Sequence, residues 1–254
     1  LRQYVLLNKA VLRRGTRQFG LSMPEAMRIP LTTGRNADPA ALENTPLVRM
    51  PTETVSEEAT FTVGQTEFQL IAAPGETRDH LLVWLPSEKV LTAGDNFGPG
   101  FPEVHHVRGT QSRSPEEWIN TLDRMRALEP EVLVSSRAAT ITDADEVRAA
   151  LIDYRDALQW VKEETLRAIN RGDSVDQAVE TIALPEHLVS SPYLTESECR
   201  IGWAVRSMYH SYVGWFDERP ETLYPCNRQT VASREIEMMG GPEAVIDAAR
   251  QAQQ

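Results

Sequence analysis

The sequence predicts a layered α/β domain followed by an all-helical unit, with the change of character at residues 141 and 142. Three observations carry this. Short β-type runs crowd residues 60–136, one amphipathic helix lies among them, and beyond Thr142 the β signal stops and only helical periodicity remains. The expected division is therefore 1–141 for the mixed part and 142–254 for the helical part.

Residues 1–20 read as a helix, with Tyr4, Leu7, Val11 and Leu12 near one face and Gly15 and Gly20 as stops. Residues 21–50 carry Pro24, Pro30, Gly34, Pro39 and Pro46 and little periodicity, which reads as a long ordered loop. Phe61–Val63 and Phe68–Ala72 are separated by Gly64-Gln65-Thr66-Glu67, the signature of a hairpin. Leu81–Leu85 and Val90–Ala93 form a second pair around Pro86-Ser87-Glu88-Lys89. Ser114-Pro115-Glu116-Glu117 opens a helix, with Ser114 as N-cap and proline at the first helical position. Trp118, Leu122, Met125 and Leu128 make its apolar face, and Glu131–Ser135 returns as a strand.

Asp143–Asn170 is one long helical pattern, with Val147, Leu151, Tyr154, Leu158, Val161, Leu166 and Ile169 as expected buried positions. Gly172-Asp173-Ser174 ends it and caps a second helix at 175–182. Two further helices are expected at 195–216 and about 229–251, the last interrupted by Gly240-Gly241-Pro242. Trp203, Val205, Met208, Tyr212, Trp215 and Phe216 are the apolar residues of this half. They read equally well as its own core or as a surface for a second copy.

The chain has 254 residues, enough for a sizeable core without disulfides. Its formal charge of −11 argues against a general binder of nucleic acid or anionic membrane. Cys199 and Cys226 are too few for a disulfide framework and lack zinc-ribbon spacing, so unpaired thiols are expected.

The stretch with chemical content is Ala73-Pro74-Gly75-Glu76-Thr77-Arg78-Asp79-His80, followed downstream by Gly94-Asp95-Asn96. Each lies at the end of an expected strand, so neighbouring strand ends would bring the carboxylates of Glu76 and Asp95 together. Converging carboxylates are costly unless a cation neutralises them. Read alone, Pro-Gly and Gly-Asp-Asn are ordinary turns.

In combination, a strand, Pro-Gly-x-Thr, two β runs and Gly-Asp resemble the second half of the metallo-β-lactamase fold. Glu76 stands where most of that superfamily has histidine, as in its alkyl sulfatases. The run from Phe101-Pro102 to Val107-Arg108-Gly109-Thr110, then Leu122-Asp123-Arg124-Met125 and Tyr154-Arg155-Asp156-Ala157, are similar too. Tyr212-Val213-Gly214-Trp215-Phe216-Asp217, with Pro220, Leu223 and Pro225, resembles the alkyl sulfatase dimerisation domain. The resemblance implies the C-terminal part of a metallo-β-lactamase αββα sandwich followed by an all-α dimerisation domain.

It further implies hydrolysis of an alkyl sulfate to alcohol and sulfate at two zinc ions, in a homodimer. Glu76 would ligate one ion and Asp95 would bridge both. Arg108 would hold the sulfate, with Arg113 and His80 as further substrate contacts. One of His105 and His106, which alternate along an extended run, would be the general acid toward the leaving alcohol.

Two departures stand out. The family's His-x-His-x-Asp-His run is absent, since the histidines are His80, His105, His106, His187 and His210; the resemblance implies a run upstream of residue 1 in a longer protein. The family's last histidine ligand falls on Arg137 in Val134-Ser135-Ser136-Arg137. Arginine stays cationic and ligates no zinc. With two ligands the chain is expected to bind zinc weakly or not at all. A protein that keeps the fold and dimer but lacks the metals, and a hydrolase acting on another ester, are the alternative readings.

Overall fold

The structure is a computed structural model that describes residues 51–105, 107, 109, 112–197 and 199–252, with residues 10, 13–15, 17–18 and 23–24. Those described between 10 and 18 are helical, as the sequence predicts. Of the expected loop at 21–50, all but residues 23 and 24 lie outside the described set.

Five strands form one sheet in the order β1-β2-β3-β4-β5: Glu58–Val63, Thr66–Ala72, Leu81–Leu85, Val90–Gly94 and Val132–Ser135. The first four pair antiparallel, and β5 joins β4 in parallel, with Leu91 opposite Leu133. A parallel partner needs a crossover, supplied by helix α1, Pro115–Ala127. Val63 pairs with Thr66, so the first turn is the two residues Gly64 and Gln65, with Gly64 at φ 64°.

Period-2 alternation buries Ile71, Leu82, Trp84, Leu91, Ala93 and Leu133. They join a single core with Trp118, Leu122 and Met125 of α1 and the buried face of α2, Ala144–Arg171. The motif strings of the two helices meet in space, since Arg155 Nε donates to Asp123 Oδ1 at 3.0 Å.

Helix ends form where capping chemistry predicts. Ser114 Oγ accepts from Glu117 N at 3.1 Å, Asp143 caps α2, and Gly172 ends it at φ 83°. Along α2 the buried face runs through Thr165 and Ala168, while the expected Leu166 and Ile169 are half-exposed. A 3.6-residue repeat continued from Leu158 and Val161 reaches 165 and 168, so geometry overrides hydropathy in the last turns.

Helices α3, Val175–Thr181, α4, Glu186–Val189, and α5, Ile201–Val213, follow. The last is shorter than the expected 195–216, because Glu196 Oε2 accepts Ile201 N and starts it there. Val205 and Met208 enter the core, whereas Trp203 remains 44% exposed.

The chain divides into two compact units, Leu1–Tyr212 and Val213–Gln254. The second contains α6, Pro220–Leu223, α7, Arg228–Met238, and α8, Pro242–Ala252, none with a buried residue. Gly240 and Gly241, both at positive φ, separate α7 from α8. Trp215, Tyr224 and Met238 are 69%, 91% and 87% exposed. Both cysteines are unpaired. No described helix is long and apolar enough to cross a membrane.

Candidate functional site

Glu76 and Asp95 follow the ends of β2 and β4 and line one small cavity with Glu103, Arg113, Arg137, Trp118 and Tyr154. Its volume is about 20 Å³, room for about one water molecule. The two strand-end carboxylates expected to converge therefore face the same space.

Each carboxylate is met by a guanidinium. Arg113 donates to Glu76 Oε1, and its other terminal nitrogen lies 3.9 Å from Glu103 Oε2 and donates to the Glu103 carbonyl. This is a dry cluster, with side-chain exposures of 6% for Arg113, 13% for Glu76 and 16% for Glu103. Arg113 also lies over the Trp118 ring at 5.9 Å. On the other side Arg137 donates to both oxygens of Asp95 at 3.3 Å, and Ser136 Oγ donates to Oδ1 as well. This second pair is wetter, so its attraction contributes less to stability.

The loops that carry the carboxylates are tied together. Buried Asn96 accepts from the Glu76 amide and donates to the Ala73 carbonyl, each at 2.8 Å. Trp118 Nε1 donates to the Asn96 carbonyl at 3.0 Å, and Thr121 Oγ1 to that of Pro74 at 2.7 Å. Gly75 is needed here, because a Cβ would collide with the Asn96 side chain and sit 3.0 Å from Trp118 Cδ1. Asn96 and Glu103 escaped the sequence reading. A polar residue directly after the second carboxylate was the only local signal for the first.

The remaining candidates fall as follows. His80 Nε2 bonds to the Ala93 carbonyl at 2.9 Å and packs against Gly94, where a Cβ would come within 2.6 Å of it. It is absent from the cavity lining. His105 stands edge-on to Trp203 with ring centroids 6.0 Å apart, also away from that lining. His106 and Arg108 lie outside the described residues.

The donor set does not make a metal site by itself. Among the described residues no group of three or more His, Cys, Asp or Glu side chains is arranged to hold a metal ion. Zinc needs at least three protein ligands, whereas here two carboxylates each face a fixed cation.

At the cavity wall, burial raises the Tyr154 hydroxyl far above its ordinary range, against an opposing hydrogen bond with Gly98. Burial, reinforced by Glu103 and Glu196, pushes the Cys199 thiol up to about 12. A proton held more tightly in the folded state contributes stability that is complete below the unfolded value, 9.0 for this thiol, and is lost as pH rises through about 12. Stability is therefore expected to fall by about 1 kcal/mol between pH 9 and 10 on account of Cys199. Urea unfolding of Cys199→Ala should lack this slope between pH 9 and 10. An unchanged slope would refute the assignment.

Residues 20–137 match the metallo-beta-lactamase superfamily, and residues 174–254 match the alkyl sulfatase dimerisation family. The chain is 31% identical over 246 residues to a linear primary-alkylsulfatase of Pseudomonas sp., spanning 96% of this chain and 46% of that protein. It is 27% identical to an (R)-specific secondary-alkylsulfatase of Pseudomonas sp., over 98% of this chain and 38% of the relative. The chain thus spans less than half the length of these curated relatives. Among solved structures, a stereoselective inverting sec-alkylsulfatase from Pseudomonas sp. superposes with a TM-score of 0.81 at 24% identity. That match covers 98% of this chain and 40% of the other, and it shows a shared fold.

Proposed function

We propose, from the premise that this chain belongs to the alkyl sulfatase-like proteins of the metallo-β-lactamase superfamily, that it serves in the hydrolysis of an alkyl sulfate ester. The observation that carries this reading is the placement of Glu76 and Asp95 after the ends of β2 and β4, on either side of β3, around one cavity, with Arg113 and Arg137 beside them. A guanidinium presents a planar fork that matches the oxygens of a sulfate. Arg113 and Arg137 would turn such donors toward an ester only by loosening their carboxylate partners. Arg108 keeps the role that the resemblance implies, sulfate contact, and one of His105 and His106, which alternate along an extended run, is the candidate general acid.

A zinc centre at Glu76 and Asp95 would need ligands beyond the described residues, and it would have to compete with the two arginines. Calorimetric titration of the purified chain with zinc is expected to give an affinity weaker than micromolar. A tighter affinity that Glu76→Ala abolishes would overturn that expectation. Inorganic sulfate released from dodecyl sulfate, and lost in Glu76→Ala, would support the hydrolase reading. No release at any zinc concentration would count against it for this chain.

Arg137 on Asp95 favours a second reading, a protein that retains the fold and self-association without the metals. Both readings share a homodimer. The 213–254 unit buries none of its helical residues, so its apolar side chains have no core of their own. A second copy related by a two-fold axis would cover them. Gel filtration at micromolar concentration should give about twice the 28.5 kDa chain mass, and Tyr224→Glu with Met238→Glu should return it to monomer. A wild-type chain eluting only as monomer would remove the claim.

A further inference from the structure

We infer that Asn96 is the positioning residue of this site, fixing the Glu76 carboxylate against Arg113 by stapling the Glu76 loop to the Asp95 loop. The inference rests on the reading of Glu76 and Asp95 as one functional pair. The residue is fully buried, and both ends of its carboxamide are used. Its orientation follows from its partners. The Glu76 amide can only donate and the Ala73 carbonyl can only accept, so the reverse orientation would oppose donor to donor and acceptor to acceptor.

No other side chain of this size meets both demands. Aspartate would keep the acceptor for Glu76 but turn a second acceptor toward Ala73, and leucine would meet neither. The backbone of Asn96 is held as well. Its amide donates to the Ala93 carbonyl at 3.1 Å, and its carbonyl accepts from Trp118. Asn96 therefore couples β4, the Pro74–Glu76 turn and α1, and Asp95 is its covalent neighbour. Residue 76 links the Asn96 carboxamide to the Arg113 guanidinium, bonded to the first by its amide and to the second by its carboxylate.

A merely structural asparagine and a positioning one both lower stability when removed, so stability alone is not the test. The discriminating measurement is a double-mutant cycle between Glu76→Gln and Arg113→Lys in the full chain, run with Asn96 and again with Asn96→Ala. Positioning predicts that the coupling between Glu76 and Arg113 falls to about half or less without Asn96. An unchanged coupling, with every variant shifted equally, overturns the proposal.

Hydrogen exchange supplies a second readout. The Glu76 amide should exchange at least about tenfold faster in Asn96→Ala than in Thr121→Val, which cuts a different tie to the same turn. If Asn96→Ala does not fold, Asn96→Asp decides, since it sets an acceptor against the Ala73 carbonyl and breaks the staple at that end. A weakened coupling between Glu76 and Arg113 supports the staple, and an unchanged coupling overturns it. Turnover is read nowhere in this test. A chain inactive toward alkyl sulfates leaves the result intact, and a failed staple leaves the hydrolase proposal standing.

Discussion

Arg113→Met is expected to lower the unfolding free energy by about 3–5 kcal/mol, because it removes the cation that donates to the buried Glu76 carboxylate. The side chains of Arg113 and Glu76 are 6% and 13% exposed, so water cannot replace the lost partner cheaply. Glu103, also half-buried, loses the guanidinium that lies 3.9 Å from its Oε2 at the same time. Adding Glu76→Gln should recover about 1–3 kcal/mol relative to the sum of the single changes, since a neutral amide tolerates burial without a counter-charge. Equilibrium urea unfolding of the four proteins measures this. Strict additivity would mean that the pair is not coupled. By contrast, Arg137→Ala should cost no more than about 1 kcal/mol, because the Asp95 pair is exposed to solvent and screened.

Trp118→Ala is expected to be of similar size, about 3–5 kcal/mol, for a different reason. The ring is 1% exposed and fills the space between α1 and the turn at Gly75. Its removal opens a void that the sheet is too rigid to close, and it strips the buried Asn96 carbonyl of its donor. Trp118→Phe separates the two effects. It keeps much of the packing and loses the Nε1 donor, so it should cost less than alanine but more than a conservative core exchange. A loss below about 1 kcal/mol for Trp118→Ala would show that the helix does not depend on this contact.

These two expectations place the stability of the site in its long-range contacts, and those were the least legible in the sequence. Glu76 and Asp95 are readable as a pair because each follows a strand, and in an antiparallel run alternate strands such as β2 and β4 end at the same edge of the sheet. Their partners were not readable in the same way. The resemblance points Arg113 toward the substrate and sets Arg137 at the family's last histidine ligand, and only the structure shows that both donate to carboxylates lining the cavity. His80 illustrates the same limit. Its position at the start of β3 was legible, but its bond to the Ala93 carbonyl depends on where β4 ends.

What the amino-acid order determined alone was local: the hairpin turn at Gly64, the Ser114 and Asp143 caps, the left-handed Gly172, and the change from mixed to helical structure. Each arises from groups a few residues apart, whose geometry the backbone itself sets. Only tertiary structure decided which guanidinium neutralises which carboxylate, that Asn96 joins two loops, and that Thr165 and Ala168 take the core face of α2. Those choices compare partners far apart in the chain, and burial decides between them by excluding water from some pairs and leaving others wet.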